Sequence, residues 1–199
     1  MSSWRVLLVA AVALAGQLLP AGATDTASAT PPGARSSFPC GTSQGEFIPT
    51  RLSVPGLVGP TRVLALGRDR NGVPRTPPLT DAGKWQVAYD RSSGIRPGGL
   101  YGVVRFTAHT YPWSGRYGSA LGNRLLQRLH VGSRIVLTGP DGQRLCYTVS
   151  RRQQVRASSR MSGYYSSTGP SRLALLVCSG TRRGPGDWSH RTIWYATPS

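Results

Sequence analysis

Apolar residues in this chain fall mostly into short runs of strand length, separated by glycine, proline and polar residues. The run at 100–108 is rich in aromatic and β-branched residues and ends at His109. The run at 173–178 is apolar throughout, which is typical of a central strand. The pattern predicts strands at 63–66, 85–89, 100–108, 134–138, 143–150, 173–178 and 192–196.

Turn and helix signals complete the predicted elements. Asp141-Gly142 lies between two strand runs and is a strong hairpin signal. A helix is predicted at 120–130, where Gly132 follows its end and apolar residues recur at helical spacing as Leu121, Leu125, Leu126 and Leu129. One short helix among seven or eight strands predicts a mainly β fold, arranged as a closed or nearly closed barrel.

The N-terminal residues have the pattern of an export segment. Arg5 precedes an apolar run at 6–19, and the small residues Ala21-Gly22-Ala23 follow it. This run is shorter than the roughly 20 residues of a membrane-spanning helix. Residues 1–23 are therefore predicted to be a signal peptide, with an uncleaved signal anchor as the alternative. The chain is expected to act outside the cytoplasm, secreted or anchored on the outer face of the cytoplasmic membrane.

A linker and a folded domain follow the export segment. Residues 24–39 are rich in threonine, serine, alanine and proline and carry too few apolar groups to order themselves. We therefore predict a disordered linker at 24–39 and a folded domain at 40–199.

Basic residues far outnumber acidic ones, with 24 Lys+Arg against 7 Asp+Glu and a formal net charge of +17. The arginines are dispersed, and the pairs Arg151-Arg152 and Arg182-Arg183 are too short for the basic block typical of nucleic-acid binding. No nucleic-acid partner is expected. For an exported protein, the charge indicates attraction to anionic wall polymers or a membrane surface. A generally basic, solvated surface is the simpler interpretation.

Three residues are the best candidates for chemistry. Cys178 ends an apolar strand, where a thiol can meet both solvent and substrate, and it needs a nearby positive group to form a thiolate. His109 ends a long strand and begins a loop, so it is a better acid/base candidate than His130 or His190. Arg191 opens the last predicted strand. Taken singly, each of these residues also fits an ordinary structural role.

The chain has an odd number of cysteines, Cys40, Cys146 and Cys178. In an oxidising compartment, the cysteine left over is either reactive or part of an intermolecular bond. Pairing Cys40 with Cys146 leaves Cys178 free and closes a long loop. The rival pairing of Cys146 with Cys178 would remove the nucleophile.

Five stretches occur in a characteristic order: Thr107-Ala108-His109-Thr110-Tyr111, Val131-Gly132-Ser133, Tyr147-Thr148-Val149, Leu175-Leu176-Val177-Cys178 and Trp188-Ser189-His190-Arg191-Thr192-Ile193. This succession resembles the sortases, cysteine transpeptidases of Gram-positive bacterial surfaces. The similarity runs from about Leu52 to Thr197 and so covers most of the chain after the linker. The export segment, the linker and the arginine-rich composition look most like the class E/F sortases of actinobacteria.

The resemblance implies a sortase-like, eight-stranded closed β-barrel with one or two short helices. It implies that Cys178 attacks the threonine carbonyl of a C-terminal, LPxTG-like sorting signal and forms an acyl-thioester. His109 would be the general acid/base, and Arg191 would stabilise the oxyanion. The acyl group would pass to an amine of a wall precursor or a pilin lysine. No cofactor and no metal are implied, and a monomer is expected.

The resemblance also implies a set of substrate contacts. Tyr164 and Tyr165 precede the nucleophile strand, where the family builds its substrate wall. The expected substrate-binding residues are Leu175, Val177, Tyr164, Tyr165 and Trp188. Val177 and Ala174 stand where the family usually has threonine, and Ala108 stands where it usually has glycine.

Two other interpretations remain. A catalytically inactive sortase-fold domain that binds an anionic cell-wall or membrane surface would have an unreactive Cys178. An exported enzyme of the L,D-transpeptidase type would need a Ser-His-Gly-Cys run, whereas Leu175-Leu176-Val177 precedes the cysteine here.

Overall fold

The computed structural model describes Cys40 and residues 45–113 and 118–199. The predicted export segment at 1–23 and linker at 24–39 lie outside the described residues. Within the described part, no helix is long and apolar enough to cross a membrane.

The described residues form a closed, eight-stranded barrel, which confirms the predicted fold class. Its strands are β1 (Arg51–Val54), β2 (Val58–Leu66), β3 (Val87–Asp90), β4 (Val103–Ala108), β5 (Arg134–Thr138), β6 (Arg144–Arg156), β7 (Arg172–Gly184) and β8 (Asp187–Pro198). They close in the order β1-β2-β3-β4-β7-β8-β6-β5. The pairs β2–β3 and β4–β7 are parallel, and the others are antiparallel.

Two α-helices lie on the connections between strands of this described part, namely α1 (Leu121–Arg128) and α2 (Ser162–Tyr165). Helix α1 matches the leucine spacing, because Leu121 and Leu125 are fully buried in the core. It ends two residues earlier than predicted, since Leu129 is extended and its carbonyl accepts a hydrogen bond from Trp194 Nε1 at 2.9 Å. Helix α2 was not predicted, because four residues are too few to show helical periodicity.

The long strands extend further than the apolar pattern indicated. β6 pairs with β5 only as far as Thr148, and β7 pairs with β4 only as far as Val177. Beyond these points both strands pair with β8. Much of this three-stranded extension is exposed, and it is rich in arginine, so its residues carry no apolar alternation that would mark them as strands.

A disulfide joins Cys40 to Cys146 across 106 positions of sequence. Cys146 is fully buried on β6, so the bond holds the start of the folded domain against a barrel strand. Cys178 keeps a free thiol. The structure therefore has the pairing that leaves the candidate nucleophile available.

Candidate active site

The strand register places Cys178 and Arg191 side by side. Cys178 of β7 lies directly opposite Arg191 of β8 in the antiparallel pair. On the other side of β7, Val177 lies beside Ala108, the last residue of the parallel strand β4. His109 therefore leaves β4 at the level of Cys178. Cys178 and Arg191 lie in the middle of β7 and β8, so the three residues meet beside the end of the shorter strand β4.

These three side chains line one cavity of about 360 Å³. One wall comes from the loop after β2, with Val73, Pro74 and Thr76. A second wall comes from the segment around α2, with Met161, Tyr164 and Tyr165. The cavity is thus an apolar cleft with a thiol, an imidazole and a guanidinium group, which is the usual composition of a site that orients a ligand by a few polar groups.

His109 is held by a hydrogen bond to the loop after β2. Its Nε2 atom lies 2.6 Å from the carbonyl oxygen of Pro77. A carbonyl can only accept, so Nε2 carries the proton and Nδ1 is left for proton exchange. Burial lowers the pKa of His109 below its ordinary value of 6.5, and the bond to Pro77 opposes this shift. The ring also packs edge-on against Tyr111.

The thiol of Cys178 is half-buried, and its pKa is raised above the ordinary value of 9.0. Burial is the largest cause, since it disfavours the thiolate. The positive charge of Arg191 lowers the pKa, and the carboxylate of Asp187 raises it. At neutral pH the thiol and the neutral imidazole predominate, and Arg191 is the cation that favours the thiolate.

Three further hydrogen bonds hold the site together. The Thr110 hydroxyl donates to the Cys178 carbonyl oxygen at 2.6 Å, which ties the end of β4 to β7. Arg191 donates from one terminal nitrogen to the carbonyl oxygens of Trp188 and His190, both at 2.9 Å. The two bonds from Arg191 restrict the position of its guanidinium group in the cavity that Cys178 also lines.

The structure brings five of the predicted site residues to the cavity, namely His109, Tyr164, Tyr165, Cys178 and Arg191. It does not bring Leu175 or Val177 there. Side chains alternate along a strand, so when Cys178 faces the cavity its neighbour Val177 faces the barrel interior. Leu175 and Val177 are both fully buried in the core, which corrects the expected substrate contacts.

Trp188 also lies outside the cavity lining. Its side chain is buried, and the residue contributes its carbonyl oxygen to Arg191. The expected substrate contact of this side chain is replaced by a structural one through its backbone.

Several lining residues were missed from the sequence. Leu176 lies two positions before Cys178 and shares its face of β7, so strand alternation could have identified it. Thr107 likewise lies two positions before His109 and lines the cavity beside it. The loop residues Val73 and Pro74 carried no usable signal, because only the tertiary fold brings that loop against β4 and β7.

The described arrangement contains the groups that acyl transfer requires. A thiol can act as nucleophile, an imidazole can exchange a proton with a leaving or entering amine, and a guanidinium can stabilise an oxyanion. The apolar walls can bind the flanking residues of a peptide and exclude water around the thiol.

Comparison with known proteins supports the same fold. No protein-family model matches this sequence, and no curated relative matches it. Among solved structures, the chain is similar to Streptococcus agalactiae sortase C1 in complex with MTSET, at a TM-score of 0.54 and 18% identity over 77% of this chain and 70% of that chain. It is similar to Listeria monocytogenes sortase A, at a TM-score of 0.52 and 16% identity over 75% of this chain and 85% of that chain.

A third similar structure is sortase C1 from Streptococcus suis, at a TM-score of 0.51 and 14% identity over 78% of this chain and 73% of that chain. The described domain therefore has the sortase fold. At these identities the similarity establishes the fold, while the particular likeness to class E/F remains a prediction.

Proposed function

We propose that this chain is an exported cysteine transpeptidase of the sortase type. The observation that carries the proposal is the convergence of Cys178, His109 and Arg191 on one cavity, with Cys178 and Arg191 directly opposite each other on β7 and β8. The sortase fold supports the same chemistry. In this proposal Cys178 is the nucleophile, His109 the general acid/base and Arg191 the oxyanion-stabilising residue.

The reaction begins when the Cys178 thiolate attacks the carbonyl carbon of the threonine in an LPxTG-like sorting signal. The carbonyl electron pair moves to oxygen, and Arg191 stabilises the resulting charge. Collapse of this intermediate breaks the peptide C–N bond, and protonated His109 gives its proton to the leaving amine. The product is a thioester between Cys178 and the threonine carbonyl.

An acceptor amine then completes the transfer. It attacks the thioester carbonyl, gives a proton to His109 and displaces the Cys178 thiolate, so the enzyme returns to its starting form. The proposed acceptors are an amine of a wall precursor and a pilin lysine. The N-terminal export pattern and the net charge of +17 support action at an anionic cell surface.

The experiment offers the full chain a pool of LPxTG-like and LAxTG-like peptides with an added amine, and reads the products by mass spectrometry. Cleavage after threonine with capture of the amine is expected, and Cys178→Ala abolishes both. Release of the acid alone would make the protein a hydrolase. If no peptide reacts although alkylation finds the Cys178 thiol free, the transpeptidase proposal is wrong.

A second candidate is an inactive sortase-fold domain that binds an anionic surface. The raised pKa of Cys178 favours it, and so do the exposed arginines on the strand extension, namely Arg151, Arg152, Arg156, Arg182 and Arg183. Sedimentation with anionic and neutral vesicles tests this candidate. Binding to anionic vesicles alone, together with failure of every peptide, would support it.

A further inference from the structure

The cavity has two walls that come from different parts of the chain. The loop wall is residues 67–76 and contributes Val73, Pro74 and Thr76. The tyrosine wall is residues 161–166 and contributes Met161, Tyr164 and Tyr165. Neither wall belongs to a barrel strand, so the strand ladders do not by themselves fix the distance between the walls.

Arg105 of β4 holds the tyrosine wall in place through hydrogen bonds to its backbone. Its side chain is almost fully buried, and it projects from the same face of β4 as Thr107 and His109. Its Nε donates to the Tyr164 carbonyl oxygen at 2.9 Å. One terminal nitrogen donates to the carbonyl oxygens of Tyr165 at 2.9 Å and Ser166 at 3.2 Å. Arg105 thus binds three consecutive carbonyls where α2 ends.

Asp90 balances the charge of this buried arginine. Its carboxylate accepts from the other terminal nitrogen of Arg105 at 3.1 Å, and its side chain is only 1% exposed. The same carboxylate accepts from Arg68, with Nε 3.3 and 3.2 Å from its two oxygens and a terminal nitrogen 2.7 Å from one of them. One carboxylate therefore holds two arginines that approach it from different directions.

Arg68 connects this carboxylate to the loop wall. Its backbone forms a bridge with Pro74, which lines the cavity. The next residues continue the contact, since the Asp69 amide donates to the Val73 carbonyl oxygen and the Arg75 amide donates to the Gly67 carbonyl oxygen. A chain of direct contacts therefore runs from the loop wall through Asp90 to the tyrosine wall.

We propose that Arg68, Asp90 and Arg105 form a clamp that fixes the two cavity walls relative to each other, with Arg105 as the positioning residue for Tyr164 and Tyr165. The role of the walls in substrate binding rests on the function proposed above, whereas the clamp itself does not. None of the three residues supplies a reacting group. They set the width of the cleft in which the peptide lies.

A guanidinium group is required at position 105. It binds the carboxylate and three carbonyls at once through its three nitrogens, whereas the single ammonium of lysine cannot span these partners. Asp90 is required because a buried guanidinium without a compensating charge is strongly unfavourable. Arg105→Lys therefore keeps the charge but releases the tyrosine wall.

The chain contains natural reporters of each wall. The bond after Arg160 precedes Met161 at the start of the tyrosine wall, and the bond after Arg75 precedes Thr76 in the loop wall. Both are trypsin sites, and cleavage of a folded protein reports the local opening of the segment. The exposed bond after Arg183, on the strand extension, is an internal reference.

The test is limited trypsin digestion of the full chain under native conditions, with fragments quantified by mass spectrometry. Arg105→Lys is expected to accelerate cleavage after Arg160 about tenfold relative to cleavage after Arg183, with cleavage after Arg75 unchanged. Asp90→Asn should accelerate cleavage after both Arg160 and Arg75. Arg134→Lys, an exposed substitution on β5, is the matched control and should change neither ratio.

Arg68→Gln keeps the proposal falsifiable if the two buried variants fail to fold. The Arg68 side chain is 31% exposed, so this substitution spares the barrel, and it should accelerate cleavage after Arg75 alone. Unchanged ratios in these variants would overturn the clamp. An equal increase at all three bonds would also overturn it, because it would indicate general destabilisation.

Peptide kinetics separates failure of the clamp from failure of the proposed function. With any peptide that the wild type cleaves, Arg105→Lys should raise KM several-fold and leave kcat within about twofold, since the reacting groups stay in place. A loss of kcat at unchanged KM would contradict the positioning role. If the wild type cleaves no peptide, the proposed function fails, and the digestion result alone still decides the clamp.

Discussion

The Nε2 atom of His109 lies 2.6 Å from the carbonyl oxygen of Pro77. This contact joins the residue that ends β4 to the loop that forms one wall of the cavity. It selects the tautomer of the neutral imidazole, and burial of the ring lowers its pKa. The thiol of Cys178, which lines the same cavity, has its pKa shifted upward. The resting site therefore holds a neutral pair, and the reactive thiolate–imidazolium pair is a minor form.

The pH dependence of kcat/KM should follow from these two shifts. The imidazolium fraction falls as the pH rises through the pKa of His109, which is below 6.5, and the thiolate fraction rises towards the pKa of Cys178, above 9.0. Between these values the two changes cancel, so the product of the fractions is constant. We expect a plateau that covers the whole range from pH 6.5 to 9.0, with activity lost only below the pKa of His109 and above the pKa of Cys178. A narrow optimum with activity lost by pH 8 would contradict these shifts.

Arg191→Ala should reduce kcat by about 10²- to 10³-fold, because it removes the cation that faces the developing oxyanion. It should also raise the pKa of Cys178 further, since the Arg191 charge is what lowers that pKa. The rate of alkylation by iodoacetamide as a function of pH measures this second effect without any substrate. Arg183→Ala, an exposed arginine on the extension of β7, is the control. If Arg191→Ala keeps kcat within threefold, Arg191 has no role in the transition state.

Val177→Thr should not increase activity, although threonine is the residue that the sortases usually have before the cysteine. The Val177 side chain is fully buried in the core and faces away from the cavity, so a hydroxyl there cannot reach a substrate. Burying that hydroxyl should lower the free energy of unfolding by about 1–3 kcal/mol. Urea denaturation and the peptide assay measure the two effects, and Val177→Ala is the comparison for loss of packing alone. A gain in kcat/KM would show that position 177 acts on the site.

Replacing both disulfide cysteines, as Cys40→Ala with Cys146→Ala, should lower the free energy of unfolding by about 2–4 kcal/mol, because the bond closes a long loop. The bond lies outside the cavity lining, so kcat/KM at 25 °C should stay within about twofold of the wild type while the double variant remains folded. Denaturation in the presence and absence of a reductant provides the check, with the double variant insensitive to it. If the wild type and the double variant have the same free energy of unfolding, the disulfide does not stabilise the protein.

Much of the barrel could be predicted because most of its strands contain a short apolar run, and turn residues separate these runs. The strand at Arg134–Thr138 has the predicted limits, and the apolar run at 173–178 lies within β7. Cys178 and His109 could also be singled out as candidates, because each follows an apolar run in the sequence, whereas the structure was needed to show that Cys178 is free. The order of motifs then indicated the sortase fold. These features depend on local pattern and spacing, which the chain carries by itself.

The tertiary structure decided which side chains meet. Val177 and Leu175 adjoin Cys178 in sequence, yet strand alternation turns them into the core and leaves Leu176 at the cavity. No sequence pattern distinguishes Arg105 and Asp90 from other charged residues, and only the fold buries them together as an ion pair. Pairings of this kind depend on strand register and on loops that return over the barrel. Since the contacting residues are far apart in sequence, no local pattern encodes them.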